Sequence, residues 1–299
     1  MENKLSASPL LTIFTPAYNR AHTLPRLFES LTKQTSKNFI WLVVDDGSTD
    51  DTESWINKWR AQTSDFTISY IKQDNQGMHG AHNAAYRNIT TPLNTCIDSD
   101  DYMPHNAVAL IEQTWQQMDK EKYAGIIGLD EDTAGKIIGT RFTTPTTTLE
   151  DFYLSGGKGD KKLVYCTEVI NNYPEYPLFE GEKYVGLGYK YLMIDKDFEL
   201  ITINEPLVTV DYQLDGSSNT MFKQYRKHPK GFAFIRKSAM VLSKSPKRRF
   251  IEAIHYVSAS IFGKNLNFIQ ESPRKILTIA AIPFGIALNF YIRLKTFKF

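Results

Sequence analysis

Residues 39–50 read FIWLVVDDGSTD, a nearly continuous apolar run that ends in two aspartates and a turn. A short apolar run bounded by turn residues is typical of a β-strand that is buried on both faces. Similar runs occur at residues 10–14, 66–71 and 93–97. Helical spacing of apolar residues separates them, as at Leu24, Leu27 and Leu31. The alternation predicts a mostly parallel, Rossmann-like α/β sheet flanked by helices.

Polar side chains follow each of the four predicted strands. Asn19 follows the first strand, Asp46 ends the second, Asn75 follows the third, and residues 98–101, DSDD, follow the fourth. In open parallel sheets, ligands bind beyond the carboxyl ends of the strands. We therefore expect these residues to share one binding edge.

The stretch 98–101 has the composition of a divalent-metal site. Mg²⁺ and Mn²⁺ prefer carboxylate oxygens, with diphosphate and water completing the shell. Asp98 and Asp100 lie two residues apart, so at a strand end they would point the same way. Helix capping is the alternative, because Asp and Ser are common before a helix. Three acids exceed what a cap needs, which favours a metal site.

Residues 45–50, DDGSTD, and 15–19, TPAYN, carry two further signals. A carboxylate at Asp46 could accept a hydrogen bond from a base or a ribose, and Tyr18 could stack on a base if Pro16 fixes the loop. Both stretches are also ordinary turn sequences. Neither decides a function by itself.

Together, TPAYN, VVDDGSTDDT and IDSDD resemble family 2 glycosyltransferases of the GT-A fold, and Asn75-x-Gly77 and AHN at 81–83 fit the same family. The resemblance covers roughly residues 10–220. It implies an inverting hexosyl- or N-acetylhexosaminyl-transferase that uses a nucleoside diphosphate sugar, most often UDP-linked, with Mn²⁺ or Mg²⁺. The implied metal ligands are Asp100, Asp98 and Asp101. Residues expected at the nucleotide sugar are Pro16, Tyr18, Asn19, Asp46, Asn75, Asp98 and Arg226.

The family also has a catalytic carboxylate in its second half, often as Glu-Asp before a helix. In residues 179–184, FEGEKY, Lys183 replaces the usual second acid, so the expected base is Glu182, with Glu180 in reserve. An inverting transfer needs one base to deprotonate the acceptor hydroxyl. We expect Glu182 at the start of a helix, where the helix dipole stabilises the carboxylate that a base requires. The alternative is a first-turn glutamate that only stabilises the helix. Residues 215–218, DGSS, resemble a further loop near the acceptor or diphosphate.

The chain divides by composition into two parts. Residues 1–220 form the expected catalytic domain, with a nucleotide-binding half at 1–130 and an acceptor-side half at 131–220, where GGKG at 156–159 is typical of a mobile loop. Residues 221–299 form a basic, apolar, helical region. Its net charge is 16 − 2 = +14, whereas that of residues 1–220 is 19 − 31 = −12. A block this basic suits anionic lipid headgroups.

Residues 276–292 read ILTIAAIPFGIALNFYI, with basic residues on both sides. This run is short for a spanning helix, which needs about 20 residues. Basic flanks suit an interfacial anchor on an anionic leaflet. We therefore expect a cytoplasmic protein at the inner face of the cell membrane, with a glycan or lipid-linked acceptor. The alternative is an apolar helix that packs on the catalytic domain or on a second subunit.

Other classes of protein fit less well. Cys96 and Cys166 are too few for a disulfide framework and form no zinc motif. No basic and apolar N-terminal run indicates secretion. The glycine-rich loop of other nucleotide enzymes does not occur. A non-catalytic GT-A-like protein with a membrane- or nucleic-acid-binding tail stays open, although an acidic edge would repel phosphate, so no nucleic acid is expected.

Overall fold

The computed structural model describes residues 8–212 and 220–296, and the DGSS stretch at 215–218 lies outside them. Contacts divide the chain into two compact units. The first comprises residues 8–75, 81–173 and 198–212, and the second comprises residues 76–80, 174–197 and 220–296. This division differs from the domain boundary at 220 expected from the sequence, because residues 174–197 belong with the C-terminal helices.

The first unit contains an eight-stranded sheet whose strands are β1 (Leu11–Ala17), β2 (Phe39–Asp45), β3 (Thr67–Lys72), β4 (Leu93–Cys96), β5 (Tyr123–Asp132), β6 (Thr146–Thr147), β7 (Lys161–Cys166) and β8 (Glu199–Val210). The spatial order is β3-β2-β1-β4-β7-β5-β8-β6. Strands β1 to β4 pair in parallel, and β8 is parallel to β5. Strand β7 runs antiparallel to both β4 and β5. The expected α/β fold is confirmed, with the antiparallel β7 inserted within the sheet and β6 antiparallel to β8 at one edge.

The helices are α1 (Leu24–Thr32), α2 (Thr52–Gln62), α3 (Met78–Asn88), α4 (Ala107–Gln117), α5 (Leu149–Leu154), α6 (Thr167–Asn171), α7 (Gly188–Ile194), α8 (Met221–Lys227), α9 (Pro229–Leu242), α10 (Pro246–Phe262) and α11 (Lys275–Lys295). The spacing that predicts α1 also buries its apolar side, since Leu24, Leu27 and Leu31 are fully buried. An aromatic group packs α2 on α1 and on the sheet, because Trp59 stacks on Phe28 of α1 with ring centroids 4.5 Å apart and lies 5.9 Å from the Trp41 ring of β2.

The topology brings the ends of six strands to one edge of the sheet. Strands β1, β2, β3 and β4 end there, and β5 and β8 end there too because both run parallel to β4. The first residues of β7 lie at the same edge because β7 runs the opposite way. We call this edge the carboxyl rim; it positions the candidate site.

The second unit contains α7 to α11. A small apolar core joins α9, α10 and α11 through the buried side chains of Met240, Ala253, Tyr256, Val257 and Ala281. The predicted apolar segment 276–292 lies inside α11. Within the described residues, α11 is the one helix that is long and apolar enough to cross a membrane.

Candidate active site

The loop after β1 is tied to the loop after β2. Asn19 adopts a left-handed backbone conformation with φ 55°. Its backbone N–H donates to Ser48 Oγ at 2.9 Å, and its Oδ1 accepts from the Thr49 N–H at 2.8 Å. Asparagine tolerates this conformation better than most residues. Asn19 therefore holds TPAYN and DDGSTD in one arrangement, and the side chain of Tyr18 beside it is 49% exposed.

The two aspartates that end β2 have different partners. Asp45 is fully buried, and it accepts hydrogen bonds from the Ser48 N–H at 2.7 Å and from Tyr70 Oη at 2.6 Å. Asp46 Oδ1 accepts from Gln73 Nε2 at 2.7 Å. Asp45 therefore builds the turn itself, whereas Asp46 is fixed from the neighbouring strand loop.

Gly47 brings the third strand loop against the same turn. Its φ is 85°, and a Cβ there would lie 3.2 Å from the Asn75 backbone nitrogen and 3.3 Å from the Gln73 carbonyl oxygen. A side chain at this position would be strained by its backbone angle and would push the Asn75 loop away. The glycine in DDGSTD thus allows Asn75 to lie next to the β2 turn.

The DSDD loop after β4 is held by α1 and by the end of β8. Arg26 donates from Nη1 to Asp211 Oδ2 and from Nη2 to the Asp100 carbonyl oxygen, both at 2.5 Å. The Asp211 N–H donates to Asp101 Oδ1 at 3.1 Å. The Arg26 guanidinium also lies 4.8 Å from the centre of the Tyr102 ring. These contacts fix the backbone that presents the acids.

Lys162 and Asp130 add a cation and a further acid to the rim. Lys162, at the start of β7, donates from Nζ to the Cys96 carbonyl oxygen at 2.9 Å. Burial lowers its pKa, but Asp130, Asp98 and the Cys96 thiol outweigh burial, and the net pKa of Lys162 is raised. Asp130, near the end of β5, is buried, and its Oδ1 accepts no hydrogen bond from the described residues.

The carboxylates of the rim have too few neighbouring cations to offset their burial and their mutual repulsion. Burial and the Asp98 carboxylate raise the pKa of Asp101 to about 7, and the same two causes raise the pKa of Asp100. Burial also raises the pKa of Asp130 to about 6, although Lys162 opposes the shift. Clustered buried carboxylates with raised pKa values are common where an ion or ligand binds.

Glu182 and Arg226 lie in the second unit and have partners there. Glu182 Oε1 accepts from the Lys230 N–H at 2.9 Å, and its Oε2 accepts from the Gly231 N–H at 2.8 Å. Glu182 therefore caps the start of α9, whereas a position at the start of its own helix was expected; α7 begins only at residue 188. Arg226 Nη1 donates to Thr296 Oγ1 at 2.8 Å.

Two histidines support the Glu182 segment: His228, which with Arg226 was a candidate contact of the diphosphate, and His79, which was not predicted. The Lys183 N–H donates to His228 Nδ1 at 3.0 Å, and the Val185 N–H donates to His79 Nδ1 at 3.3 Å. His79 therefore carries its proton on Nε2, which is buried without a hydrogen-bond partner among the described residues. Burial and the neighbouring His228 and Lys183 lower the pKa of His79 to about 4. His79 stays neutral near pH 7.

Comparison with known proteins assigns the first half of the chain to a protein family. Residues 12–155 match the family model described as glycosyl transferase family 2. This stretch of the chain belongs to glycosyl transferase family 2. The matched residues include the three motifs TPAYN, DDGSTD and DSDD, and the expected family resemblance is confirmed there.

Relatives of the family 2 domain cover the chain to different extents. The UDP-Glc:alpha-D-GlcNAc-diphosphoundecaprenol beta-1,3-glucosyltransferase WfgD of Escherichia coli is 28% identical over 225 residues, which are 73% of this chain and 83% of WfgD. Glycosyltransferase GlyA of Streptococcus pneumoniae is 34% identical over 98 residues, which are 33% of this chain and only 14% of GlyA. The stretch shared with GlyA is thus a small part of that longer protein.

Solved structures share the fold of the chain. S. aureus TarS 1-349 in complex with UDP-GlcNAc matches with a TM-score of 0.61 at 17% identity, over 95% of this chain and 83% of that one. The mannosyltransferase PcManGT from Pyrobaculum calidifontis, in complex with GDP-Man and Mn2+, matches with a TM-score of 0.58 at 15% identity, over 96% and 88%. At these identities the likeness establishes the fold.

The rim fits a metal that takes few protein ligands. Within residues 8–212 and 220–296, no three carboxylate, imidazole or thiolate groups converge as ligands of one ion. Mg²⁺ is usually bound through one or two carboxylates together with substrate phosphates. Asp98 and Asp100 interact electrostatically, since Asp98 raises the pKa of Asp100. The donor set therefore suits an ion that arrives with a diphosphate.

The predicted site residues thus fall into two groups. Those of the first unit occur at the carboxyl rim, with Pro16 in the last residues of β1 and the others on the loops: Tyr18, Asn19, Asp46, Asn75, Asp98, Asp100 and Asp101. Glu182 and Arg226 occur in the second unit. Arg26, Lys162 and Asp130 were not predicted, because a single arginine in a helix and single charges in two strands carry no motif. Their roles at the rim depend on the order of the strands.

Proposed function

We propose that this chain is an inverting glycosyltransferase that moves a hexosyl or N-acetylhexosaminyl group from a nucleoside diphosphate sugar to an acceptor hydroxyl. The observation that carries the proposal is the carboxyl rim, where Asn19 joins the first two motif loops and Arg26 holds the third. Three separate loops are fixed where a parallel sheet binds its ligands.

The donor is proposed to be UDP-linked. The half-exposed Tyr18 ring offers a stacking surface for a base, and Gln73 orients the Asp46 carboxylate for a hydrogen bond from the base or ribose. WfgD is named as an enzyme that uses UDP-Glc, and TarS was solved with UDP-GlcNAc, which supports the same donor class. Asn75, beside the β2 turn, and Arg226 are further proposed contacts of the nucleotide sugar.

Asp100 is the proposed principal ligand of Mn²⁺ or Mg²⁺, with Asp98 beside it and Asp101, the third expected ligand, in a supporting role. A bound divalent ion would offset the negative charge of the departing diphosphate. Asp101 accepts a hydrogen bond from the Asp211 N–H and supports the loop. Arg26 and Lys162 hold the backbone on either side of Asp98 through the Asp100 and Cys96 carbonyl oxygens.

Glu182 is the proposed general base, with Glu180 as the reserve. In an inverting transfer, the base removes the proton of the acceptor hydroxyl while its oxygen attacks the anomeric carbon and the bond to the diphosphate breaks. The two N–H groups at the start of α9 orient both oxygens of Glu182. Each carboxylate oxygen keeps a second lone pair for an acceptor hydroxyl.

The acceptor is proposed to be a glycan or a lipid-linked glycan of cell-surface polysaccharide or glycolipid assembly, at the inner face of the membrane. WfgD, whose name specifies a diphosphoundecaprenol-linked acceptor, aligns with 73% of this chain at 28% identity and supports this class of acceptor. The apolar helix α11 supports a location at a membrane.

The test is thermal unfolding of the purified chain with UDP, GDP, CDP or TDP, each with Mn²⁺, Mg²⁺ or EDTA. We expect stabilisation by UDP that needs the metal, of about 2.7 kcal/mol at 100 times the dissociation constant. Asp100→Ala should abolish it, whereas the exposed Asp65→Ala should not. Release of UDP from UDP-glucose or UDP-GlcNAc then reports turnover.

Two results would change the proposal. Stabilisation by GDP instead of UDP would mean that the donor is GDP-linked, and the proposed transferase activity would stand. No stabilisation by any nucleotide, with wild type and Asp100→Ala alike, would favour a non-catalytic GT-A-like protein. Lys183, which stands where the family often has an acid, is the feature of this chain that favours such an alternative.

A further inference from the structure

Helix α11 has a small and partly polar side that faces the protein. Its buried residues recur every three or four positions and are Thr278, Ala281, Gly285, Asn289 and Ile292. A Cβ on Gly285 would lie 2.5 Å from Val257 Cβ and 2.9 Å from the Ile254 carbonyl oxygen, so the two helices approach closely there. Asn289 Nδ2 donates to the Ser258 carbonyl oxygen at 3.1 Å. This side is fitted to α10.

The opposite side of α11 is large, apolar and exposed. We call it the outer face; its large members are Ile276, Ile279, Phe284, Ile286, Phe290, Tyr291 and Leu294, which are between 45% and 86% exposed. At 3.6 residues per turn they cover an arc of roughly 160°. A soluble amphipathic helix normally turns its apolar side inward. Here the polar Thr278 and Asn289 turn inward, and the large apolar side chains of the outer face turn outward.

Positive charges flank the outer face. Lys275 begins α11, Arg293 and Lys295 lie in its last turn, and no acidic residue occurs from 275 to 295. By helical spacing, Lys275 and Arg293 lie along one border of the arc and Lys295 lies along the other. The region from 221 to 299 has the net charge of +14. An apolar arc between cationic borders complements an anionic lipid surface.

We propose that α11 lies flat in the interface of an anionic bilayer, with the outer face among the upper acyl chains and the flanking cations at the lipid phosphates. The α10 side of the helix stays toward the protein. All residues of this surface belong to the second unit, so the lipid proposal does not depend on the proposed transfer reaction.

An ion pair on α10 disfavours an arrangement in which α11 spans the membrane. Helices α10 and α11 run side by side in the same direction, since Phe250 contacts Phe284 and the Arg293 guanidinium lies over Phe262. A spanning α11 would take α10 into the hydrocarbon, together with the Arg236–Glu252 ion pair. Charged groups at bilayer depth are costly, whereas the interfacial arrangement leaves them outside.

A second copy of the chain would fit the outer face less well than an anionic bilayer does. In a symmetric pair, the outer face would meet its own copy, and the cations along its borders would approach those of the partner. No acidic residue of α11 is available to offset them. Anionic lipid supplies the opposite charge that the outer face of a second copy lacks, so the charges favour lipid as the occupant.

The test is co-sedimentation of the full chain with vesicles, without donor or metal. One vesicle is phosphatidylcholine alone and the other contains about a third phosphatidylglycerol. We expect binding that requires the anionic lipid and falls about fivefold with Lys295→Gln. Leu294→Ser should lower the partition coefficient about tenfold or more. The matched control is Leu154→Ser, an exposed leucine of α5 in the first unit, which should bind as wild type.

The outcomes separate the alternatives. Bound protein that alkaline carbonate releases supports the interfacial arrangement, whereas protein that stays with the vesicles supports a spanning helix and overturns it. Equal loss in Leu154→Ser and Leu294→Ser would also contradict the proposal. Absence of vesicle binding, with a dimer in solution that Leu294→Ser dissociates, would assign the outer face to a second copy. Nucleotide binding is measured separately, so failure of the lipid proposal leaves the proposed transfer reaction intact and removes only the support that α11 gives to a membrane location.

Discussion

Arg26 in α1 and Asp211 just after β8 form an ion pair, with 2.5 Å between Nη1 and Oδ2. The same guanidinium donates to the Asp100 carbonyl oxygen. We predict that Arg26→Ala weakens metal-dependent nucleotide binding about tenfold, because the DSDD loop loses its positioning. The unfolding free energy should change by only about 1 kcal/mol, since the pair is partly exposed. Isothermal titration with UDP and Mn²⁺ measures the first quantity and urea unfolding the second.

Asp211→Asn is the matched variant for Arg26→Ala. It removes the ion pair but keeps the backbone N–H that donates to Asp101. We therefore expect a smaller loss of nucleotide affinity than in Arg26→Ala. Equal affinity in wild type and Arg26→Ala would show that Arg26 has no part in positioning the loop.

Asn19 offers a test of backbone conformation at the first motif. Asn19→Ala would lose the hydrogen bond to Thr49 and place alanine at a φ of 55°. We expect a loss of about 2 kcal/mol, of which about half is the cost of the left-handed conformation. Asn19→Gly avoids that cost and should be about 1 kcal/mol more stable than Asn19→Ala. Equal stability of the two variants in urea unfolding would contradict this account.

The fold of the first half could be predicted from the sequence because each apolar run ends in polar residues. The run 39–44, for example, ends at Asp45, which is fully buried in the turn. The antiparallel β7 was not predicted, because strand direction depends on tertiary contacts between distant residues. The position of the GGKG loop at 156–159 also depends on contacts with distant residues. Lys161 Nζ donates to the carbonyl oxygens of Ile138 and Lys158 at 3.1 and 3.0 Å, and so ties this loop to a distant turn.

The candidate site could be predicted only where its residues form local motifs. DSDD is a motif, but Asp130 and Lys162 meet it through the order β4-β7-β5, which the sequence does not display. Glu182 was selected through the family pattern, and the expectation that it starts its own helix was wrong because its partners begin α9. Long-range contacts of this kind depend on packing that no local pattern encodes.

Asp130 predicts a pH dependence of stability. Burial raises its pKa in the folded chain to about 6, above the ordinary value of 3.8, so the folded state holds the proton more tightly. Asp130 therefore lowers stability as pH rises from about 4 to 6, and its full cost is present above pH 6. We predict that Asp130→Asn is more stable than wild type by about 2 kcal/mol at pH 8 in EDTA, with little gain near pH 4.

Urea unfolding at both pH values, with EDTA present, measures this difference. The exposed Asp65→Asn serves as the control and should show no gain that grows with pH. A loss of stability in Asp130→Asn at pH 8 would mean that the attraction to Lys162 outweighs the cost of burying the carboxylate.

Glu182 and Glu180 can be separated by their different surroundings. Glu182 accepts two backbone N–H groups of α9, whereas Glu180 is exposed. We predict that Glu182→Ala lowers kcat by at least about a hundredfold, because the base is lost. It should also lower the unfolding free energy by about 1 kcal/mol, because the cap of α9 is lost. Glu180→Ala should leave both quantities near wild type.

The combination of readouts distinguishes catalysis from capping. Glu182→Asp shortens the side chain and weakens the cap but keeps a carboxylate, so some activity should return, with kcat rising above that of Glu182→Ala. UDP binding with Mn²⁺ should be unchanged in all three variants, since a base acts on the acceptor and not on the nucleotide. If Glu182→Ala loses stability but keeps its kcat, and Glu180→Ala loses kcat, the base is Glu180 and Glu182 only stabilises α9.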